Sequence, residues 1–456
     1  MNKIELILHS IANPVEDRQA AFPQLQKTSQ PTVPVPSHSS VFSFRIGILY
    51  AGGDVGPSIT SLCLAFYWLY FLIEIAGIPT LQAGLIHGSG YVFSAFASLW
   101  AGHWLDRHVL SAAKRCRLIA RLSFGLATSF ALLWSVPPLG VWQPLWYLLL
   151  SWLFHLLFAV VYLAYLSLTA LISSVEKERV ELNSYRFGGS MLLTLLVLGL
   201  HNATEGLWPI EQRLLALGAM VALLSALGGA LCGLGLQRVL GNAPVSAAKG
   251  EPIPWRALTR SGVLWWAVGG NLLVWFMVQS TLMLTIFLCA AAGISDALIL
   301  LLLQVSIIAA AIFTSLAVRR WHSEQVLIAA VLLWCAGASL WWQALAPMAA
   351  AICLGLGLGA ATVLSWARIP FALDRLAESN SNRVDARAYA GLTVLRDLVS
   401  ALVPMLVAAV LDGHEMGGAK AGQVASGTLI SAGLCSALLL LMLHWLCSPR
   451  FPAVNV

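Results

Sequence analysis

Four ionisable residues stand at or within long apolar stretches of the sequence. In chain order they are Asp54, Arg186, Arg396 and Asp397. A charge placed in a membrane span costs about 2.5 to 3.5 kcal/mol on insertion scales, so such a residue indicates an ion pathway, a proton relay or a counter-ion for a ligand. We predict that these four residues, together with the polar Asn271, bind a substrate or couple its movement to an ion.

Helix geometry limits how these charges can pair. Neighbours in an α-helix point about 100° apart, so Arg396 and Asp397 face each other poorly and at least one needs a partner on another helix. Arg396 could pair with Asp54 across the protein or bind an anionic substrate group; the alternative is a static ion pair between helices. Asp54 has two interpretations. It could be an acid at a wet membrane edge or beside a structural arginine, with no role in transport. The glycines and proline at 52–57 instead favour a loosened helix that lines a cavity.

The composition indicates that the protein lies in lipid. Of its 456 residues, 59% are apolar and 10% are charged, whereas soluble domains carry about 25% charged residues. The formal charge of +6 forms no basic face or stripe, so nucleic acid is not an expected partner. Runs of about 20 apolar residues can cross a bilayer as helices. Twelve runs predict an all-α membrane protein with spans at 46–75, 79–104, 115–136, 143–171, 185–203, 211–237, 262–291, 294–318, 324–344, 347–372, 388–411 and 421–447.

The connecting segments predict the domain organisation and the orientation. In chain order we expect a flexible cytoplasmic tail at 1–44, a six-helix bundle at 45–237, a cytoplasmic linker at 238–261, a second six-helix bundle at 262–447 and a cytoplasmic tail at 448–456. The positive-inside rule then predicts that both termini are cytoplasmic in a multi-pass protein of the inner or plasma membrane. The rule rests on Lys and Arg in the tails and in predicted loops near 107–121, 172–184, 238–261, 319–323 and 373–387.

A short pattern occurs once in each set of six spans. Gly52-Gly53-Asp54 is followed by Ala76-Gly77-Ile78, and Gly269-Gly270-Asn271 is followed at nearly the same distance by Ala292-Gly293-Ile294. A duplicated six-helix unit would leave this pattern in the first helix of each half. The sequence therefore predicts two related bundles.

The loop after the second span reads Gly102-His103-Trp104-Leu105-Asp106-Arg107. This Gly-x-x-x-Asp-Arg pattern is characteristic of the major facilitator superfamily. We expect Gly102 to allow close helix packing, and Asp106 and Arg107 to form a cytoplasmic gate contact that breaks as the two halves rock. The alternative is that these are simply the flanking charges of a membrane span.

With these motifs the chain resembles one branch of that superfamily, the glycoside-pentoside-hexuronide:cation symporters typified by the melibiose permease, over about residues 45–412. The resemblance implies the major facilitator fold, with two pseudo-symmetric six-helix bundles. It also places Arg186 at the family's fifth-helix arginine and Arg396 near its eleventh-helix lysine, which implies roles in coupling and substrate binding. The matching segments are Tyr50 to Asp54, Phe66-Tyr67, Ala76-Gly77-Ile78, Ala83-Gly84, Gly102 to Arg107 and, most specifically, Glu176 to Phe187.

The departures from this family concern its cation site. The family uses two carboxylates on the second helix, and the same count here gives Ser94 and Ser98; a further acid on the fourth helix falls near Tyr162. A sodium ion needs an oxygen-rich, negatively charged cage, which these residues do not supply. The sequence therefore predicts transport without sodium coupling, and it leaves Asp54 as the main titratable group for proton coupling, facilitated diffusion or exchange.

These observations favour a secondary active or facilitative transporter, and we expect it to act as a monomer. The seventh span is rich in tryptophan, so we expect a small glycoside-like or amphipathic, lipid-like substrate. No nucleotide-binding loop or hydrolase motif occurs, which argues against an enzyme. The eight cysteines stand mostly inside apolar runs, and neither a metal nor a cofactor is expected. The alternative function is a transporter-derived assembly factor or receptor in the membrane without transport activity.

Overall fold

Long helices account for most of the protein in a computed structural model, which describes residues 44–109, 111–168, 172, 176–240, 259–318, 320–342, 346–380 and 386–412. We number the eleven long helices of these residues in chain order. They are α1 (Phe44–Cys63), α2 (Thr80–His108), α3 (Ala112–Leu133), α4 (Gln143–Leu166), α5 (Glu176–Ala203), α6 (Ile210–Leu240), α7 (Gly262–Ala292), α8 (Asp296–Ala317), α9 (Ser323–Trp342), α10 (Pro347–Asn380) and α11 (Ala386–Asp412). Two π-helical segments, Leu64–Trp68 and Phe71–Ile75, continue α1, and a 3-10 turn, Gly140–Trp142, precedes α4.

Eleven of the twelve predicted spans coincide with these helices. The twelfth span at 421–447, both predicted tails and most of the predicted linker lie outside the described residues. Within the described part of the chain, seven helices are long and apolar enough to cross a membrane, and α5 and α9 contain shorter apolar stretches. The length and composition of the apolar runs are therefore sufficient to locate these eleven helices.

Three of the predicted loops are wrong in their extent, because helices continue into them. The helix α3 already begins at Ala112, α5 begins at Glu176, and α10 continues to Asn380. The extra residues include Lys, Arg and Glu, which are good helix formers, so the helix does not end where the apolar run ends. The charges of these segments consequently lie on helix ends that extend past the apolar spans.

The described helices pack in two sets. In the first set α6 packs against α1 and α3, while α2 packs against α4; in the second set α10 packs against α7, α8 and α9. Glycine allows the closest approaches, since a Cβ added at Gly228 of α6 would lie 2.5 Å from the Gly52 carbonyl oxygen of α1. Small residues at such crossings let helix backbones approach in lipid.

The two sets also share a local feature that the repeated pattern predicts. We call α1 together with its two π-helical segments the α1 segment. Gly77 follows the last turn of the α1 segment and Gly293 follows α7, and their φ angles are 67° and 64°. A left-handed backbone at the end of a helix favours glycine, which has no Cβ to clash. The corresponding polar residues Asp54 and Asn271 are both buried.

Several contacts between the sets lie at one end of the protein, where the α1 segment finishes and α2 begins. We call this the distal end. Gly84 and Gly88 of α2 contact α11 there, and the rings of Tyr70 and Phe287 meet edge to face at 5.8 Å. Ser295 donates a hydrogen bond to the Glu205 carboxylate across the same boundary. The distal end is therefore closed in this conformation.

An ion pair adds to this distal closure. The Asp296 carboxylate at the start of α8 lies 3.7 Å from an Arg213 guanidinium nitrogen and 3.8 Å from the His201 ring. Arg213 also donates to His201 at 3.3 Å when that ring nitrogen carries no proton. The contact ties α5 and α6 of the first set to α8 of the second set.

Candidate functional site

Asp54 is the most heavily bonded polar side chain of the site. It lies on α1 with 1% of its surface exposed. One carboxylate oxygen accepts from Arg186 Nε at 2.9 Å, and the other accepts from the hydroxyls of Ser58 and Ser190 at 2.7 Å each. Ser58 is four residues after Asp54 on α1, and Ser190 is four residues after Arg186 on α5, so each pair shares a helix face.

The structure does not show the pairing of Asp54 with Arg396, which is one of the two possibilities for Arg396; Asp54 has instead the environment of its stated alternative, beside another arginine. Asp54 pairs instead with Arg186, because α1 and α5 pack against each other within one set and bring the two side chains together. The predicted loosened helix is also not found at this point, since α1 is continuous from Phe44 to Cys63 despite Pro57. The π-helical segments begin only at Leu64.

Tyr162 extends this cluster from α4. Its hydroxyl accepts a hydrogen bond from Arg186 Nη2 at 3.2 Å, and it also lies within electrostatic range of Arg396. By resemblance a family acid falls near Tyr162, and in this structure the Tyr162 hydroxyl lies near two arginines. One arginine belongs to each set of helices, and the tyrosine lies near both.

Arg396 has a different environment from Arg186. Its guanidinium carbon lies 3.6 Å from the ring centre of Trp275 and 4.7 Å from that of Trp366. Within the described residues its Nε is buried without a hydrogen-bond partner. The indole of Trp275 is fixed in turn, because its Nε1 donates to Ser400 at 2.8 Å. Arg396 is thus a cation packed against two aromatic rings, and its Nε–H has no hydrogen-bond acceptor among the described residues.

Asp397 faces the first set across the boundary between α11 and α2. The Ser94 side chain lies beside its carboxylate, and Tyr91 lies within electrostatic range. Its Oδ2 is buried and has no hydrogen-bond partner among the described residues. Ser98, the second serine that stands where the resembling family has a carboxylate, is also buried on α2.

Asn271 belongs to a separate small pocket between α7 and α10. Its Nδ2 donates to Ser365 at 3.1 Å, and the pocket is also lined by Trp266 and Arg368, whose guanidinium lies 4.6 Å from the Trp266 ring centre. The Oδ1 of Asn271 is buried without a partner in the described structure. Among the described contacts, Asn271 therefore does not belong to the hydrogen-bonded cluster around Asp54.

The loop motif is only partly described. A Cβ added at Gly102 would meet nothing within 4 Å among the described residues, so close packing at Gly102 is not seen in this conformation. The close approaches of α2 to α11 lie near its opposite end, at Gly84 and Gly88. Arg107 is exposed, and the Asp106 side chain lies outside the described residues. The gate contact of this motif stays a prediction.

Sequence reasoning missed several residues of the site. The serines Ser58 and Ser190 could have been found from the helical spacing of four residues to Asp54 and Arg186. Tyr91 carried the same signal, because it lies three residues before Ser94 on one face of α2. Trp366 carried none, because its contact with Arg396 joins helices that are far apart in the sequence.

Curated relatives match the chain over part of its length. An uncharacterized symporter of Synechocystis sp. is 30% identical over 197 residues, which are 40% of this chain and 35% of the relative. A sodium-dependent lysophosphatidylcholine symporter of Xenopus tropicalis is 29% identical over 38% of this chain and 34% of its own. A sphingosine-1-phosphate transporter of Mus musculus is 29% identical over 34% and 31%. The chain spans about a third of the length of these relatives.

Solved structures show the same fold. The crystal structure of the nucleoside transporter NupG superposes with a TM-score of 0.61 at 12% identity, covering 90% of this chain and 100% of its own. A partially occluded inward-open structure of the xylose transporter XylE from E. coli has a TM-score of 0.60 at 14% identity, covering 92% and 99%. These similarities show the fold alone, twelve helices in two six-helix bundles.

The sequence pattern of one family extends over almost the whole chain. The family described as MFS/sugar transport protein matches residues 49–452, from the Tyr50 to Asp54 segment to beyond the last described helix. The match confirms the resemblance to the major facilitator superfamily that the motifs predict. The chain belongs to the MFS/sugar transport protein family.

Proposed function

We propose that this protein transports an amphipathic solute with an anionic group by alternating access between its two sets of helices. The observation that carries the proposal is the environment of Arg396. Its guanidinium is held at 3.6 Å from the Trp275 ring centre while its Nε is buried and unpartnered among the described residues. A buried donor without a partner costs about 1 to 3 kcal/mol, and a charged one costs more. An anionic ligand would remove that cost.

Tyr162 supports a site that reaches across the two sets. It accepts a hydrogen bond from Arg186 of the first set and lies within electrostatic range of Arg396 of the second set. A phosphate or carboxylate bound near Tyr162 would experience both positive charges. The same anion would then hold the two sets together when it is bound, which is the coupling between binding and closure that alternating access requires.

The aromatic residues favour an apolar part on the same solute. Trp275 and Trp366 face the guanidinium, and Phe158 stacks with Tyr162 at 5.4 Å between ring centres. A sugar would need a polar partner for each of its hydroxyls, whereas an acyl chain needs none. Two relatives carry names that specify lysophosphatidylcholine and sphingosine-1-phosphate, and both compounds join a phosphate to a long alkyl chain.

Sodium coupling is not part of this proposal. Ser94 and Ser98 stand where the resembling family has its helix-two carboxylates. Serine hydroxyls are neutral, and they do not compensate for the charge of a desolvated sodium ion. We infer that both termini face the cytoplasm, that residues 45–237 and 262–447 move as the two halves, and that the protein acts as a monomer in the inner or plasma membrane.

A binding experiment tests the site directly. Purified protein in nanodiscs would be titrated with lysophosphatidate and with the monoacylglycerol of the same chain length, and tryptophan fluorescence would be recorded. We expect saturable quenching by lysophosphatidate, a loss of at least tenfold in affinity in Arg396→Gln, and little change in Arg368→Gln. Arg368 is a matched control because it also stacks on a tryptophan of the second set. Equal affinities for the charged and the neutral lipid would contradict the proposal, and a tight response to melibiose instead would favour a glycoside substrate.

A further inference from the structure

The helix α2 has a polar face that the proposed solute site does not use. His87, Tyr91, Ser94 and Ser98 follow one another at spacings of three or four residues, so they lie on one face of the helix. The two serines and His87 are buried, and Tyr91 is half-buried. Burying polar groups in an apolar environment is unfavourable, so a buried polar face in a membrane protein indicates a functional site.

His87 is the least satisfied group of this face. It is fully buried, and both of its ring nitrogens have no hydrogen-bond partner among the described residues. Its ring stacks on Tyr91 at 5.5 Å between centres, and Tyr91 meets the His155 ring of α4 at 5.2 Å. His155, in contrast, is engaged with the Ser151 carbonyl oxygen at 2.8 Å from its Nδ1.

An acid from the other set of helices meets the same face. Asp397 of α11 lies beside Ser94 and within electrostatic range of Tyr91, and its Oδ2 has no hydrogen-bond partner in the described structure. Tyr91 is thus a neighbour of both His87 and Asp397, and its side chain is also hydrogen-bonded with Gln279 of α7. Asp54 is the weaker candidate for proton exchange, since both of its oxygens are already bonded by Arg186, Ser58 and Ser190.

The face lies at a boundary that alternating access would open. Gly84 and Gly88 flank His87 along α2, and both contact α11: Gly84 meets Ala408, and a Cβ at Gly88 would lie 2.7 Å from the Ala401 carbonyl oxygen. Separation of α2 from α11 at the distal end would admit water to His87. In the closed conformation an imidazolium at this position would face His155 and would be poorly solvated, so the closed conformation favours the neutral ring.

We propose that His87 and Asp397 bind the proton that drives this transporter, at the boundary between α2 and α11. The inference rests on the proposed transport function. In the distal-open conformation a ring nitrogen of His87 takes a proton from water. The proton then passes through the water admitted between α2 and α11 to the Asp397 carboxylate, which leaves a neutral imidazole and a neutral carboxylic acid. Both groups can then be buried as the distal end closes, and Asp397 releases the proton to the opposite side.

The groups that face this pair from the surrounding helices are few. Among the described residues they are His155 on α4, Arg396 beside Asp397 on α11, and Tyr91 itself. Glu74 at the end of the α1 segment and Asp412 at the end of α11 are exposed. Histidine changes its protonation between about pH 5 and 8 when it is in water, which is the range in which a membrane proton gradient operates.

Proteoliposomes with an imposed pH gradient test the inference. Uptake of labelled lysophosphatidate would be measured with and without a difference of one pH unit, in sodium-free buffer, for the wild type, His87→Gln, His87→Phe and the control His108→Gln. His108 is an exposed histidine at the other end of α2. We expect the gradient to raise accumulation up to about tenfold in the wild type and in His108→Gln. Both His87 variants should equilibrate the solute without accumulating it, and His87→Phe keeps a ring to stack on Tyr91.

A second readout follows the conformation instead of the transport. Spin labels at Gln82 and Asp412, which are exposed near the distal ends of α2 and α11, should report a larger distal-open population at pH 5.5 than at pH 7.5 in the wild type but not in His87→Phe. Uptake that ignores the pH gradient, or that keeps its full gradient response in His87→Phe, would overturn the proton site alone. If the wild type carried no solute under any condition, the proposed transport function would be overturned and this inference with it.

Discussion

Asp54 and Arg186 form a buried ion pair within the first set of helices. The Asp54 Oδ1 accepts a hydrogen bond from Arg186 Nε at 2.9 Å, and only 1% of the Asp54 side chain is exposed. Two serine hydroxyls occupy the other carboxylate oxygen. The pair therefore positions Arg186 beside Tyr162, where the second arginine of the site approaches from α11.

The first prediction concerns the stability of this pair. Removing one partner of a buried ion pair leaves an uncompensated charge and costs about 3 to 5 kcal/mol. We expect Arg186→Gln to lower the melting temperature and to abolish transport, and Asp54→Asn to do the same more mildly, since the amide still accepts from the serines. The double variant should be less destabilised than the sum of the two single variants. Strictly additive losses of stability would show that the two side chains do not interact energetically.

Much of this fold could be predicted from the sequence, because lipid imposes helices of a fixed length on apolar runs. The functional site could be predicted only in part. Asp54, Arg186 and Arg396 could be identified because charges are rare in membrane spans, but their pairing could not. Whether Asp54 meets Arg186 or Arg396 depends on how α1, α5 and α11 pack, and no spacing within one helix contains that information.

The same limit applies to glycine. The motif residue Gly102 was expected at a close helix contact, yet the close contacts of α2 are made by Gly84 and Gly88. A glycine in a sequence indicates that a close approach is possible, but only the packed structure shows which glycine is used. The π-helical segments that continue α1 from Leu64 likewise had no signal in the apolar run.

The second prediction concerns the close approach of α2 to α11 at Gly88. In Gly88→Leu the new side chain would collide with the Ala401 carbonyl oxygen and Met405 of α11, which lie 2.7 Å and 2.6 Å from a Cβ at that position. We expect the distal end to stay open and transport to fall at least tenfold, measured as uptake and as the reactivity of a cysteine introduced at Leu85. Gly199→Leu on α5 is the control and should behave as wild type, because a Cβ added at Gly199 meets nothing within 4 Å among the described residues. Equal effects of the two substitutions would mean that distal closure does not depend on the approach at Gly88.

A third prediction separates the two contacts of Trp275, one with the Arg396 guanidinium and one with the Ser400 hydroxyl. Its ring lies 3.6 Å from the Arg396 guanidinium carbon, and its Nε1 donates to Ser400. A desolvated cation–π contact contributes about 2 kcal/mol, which corresponds to roughly a 30-fold change in affinity. The ring fixes the orientation of the guanidinium before the ligand binds, so Trp275→Ala should weaken lysophosphatidate binding by at most about that factor, and Trp275→Phe should weaken it much less because a ring remains. If both variants lost the same affinity, the hydrogen bond to Ser400 would be the important contact.

The fourth prediction concerns the coupling ion. Ser94 and Ser98 are buried but neutral, so we expect replacement of sodium by potassium in the transport buffer to change the uptake rate less than twofold. Acids introduced at both positions, Ser94→Asp with Ser98→Asp, should produce sodium stimulation, which we do not expect in the wild type. Marked sodium stimulation of the wild type would refute this prediction.

Uptake by proteoliposomes of purified protein is the most direct test of the proposed transport function. Lysophosphatidate and the monoacylglycerol of equal chain length would be offered to liposomes containing the wild type, Arg396→Gln or no protein, with folding checked by melting temperature. We predict saturable uptake of the anionic lipid by the wild type, at least tenfold slower uptake by Arg396→Gln, and no protein-dependent uptake of the neutral lipid. Protein-dependent uptake that is equal for both lipids, or unchanged by Arg396→Gln, would contradict an anion site at Arg396; no uptake by well-folded wild type would contradict transport of this solute class.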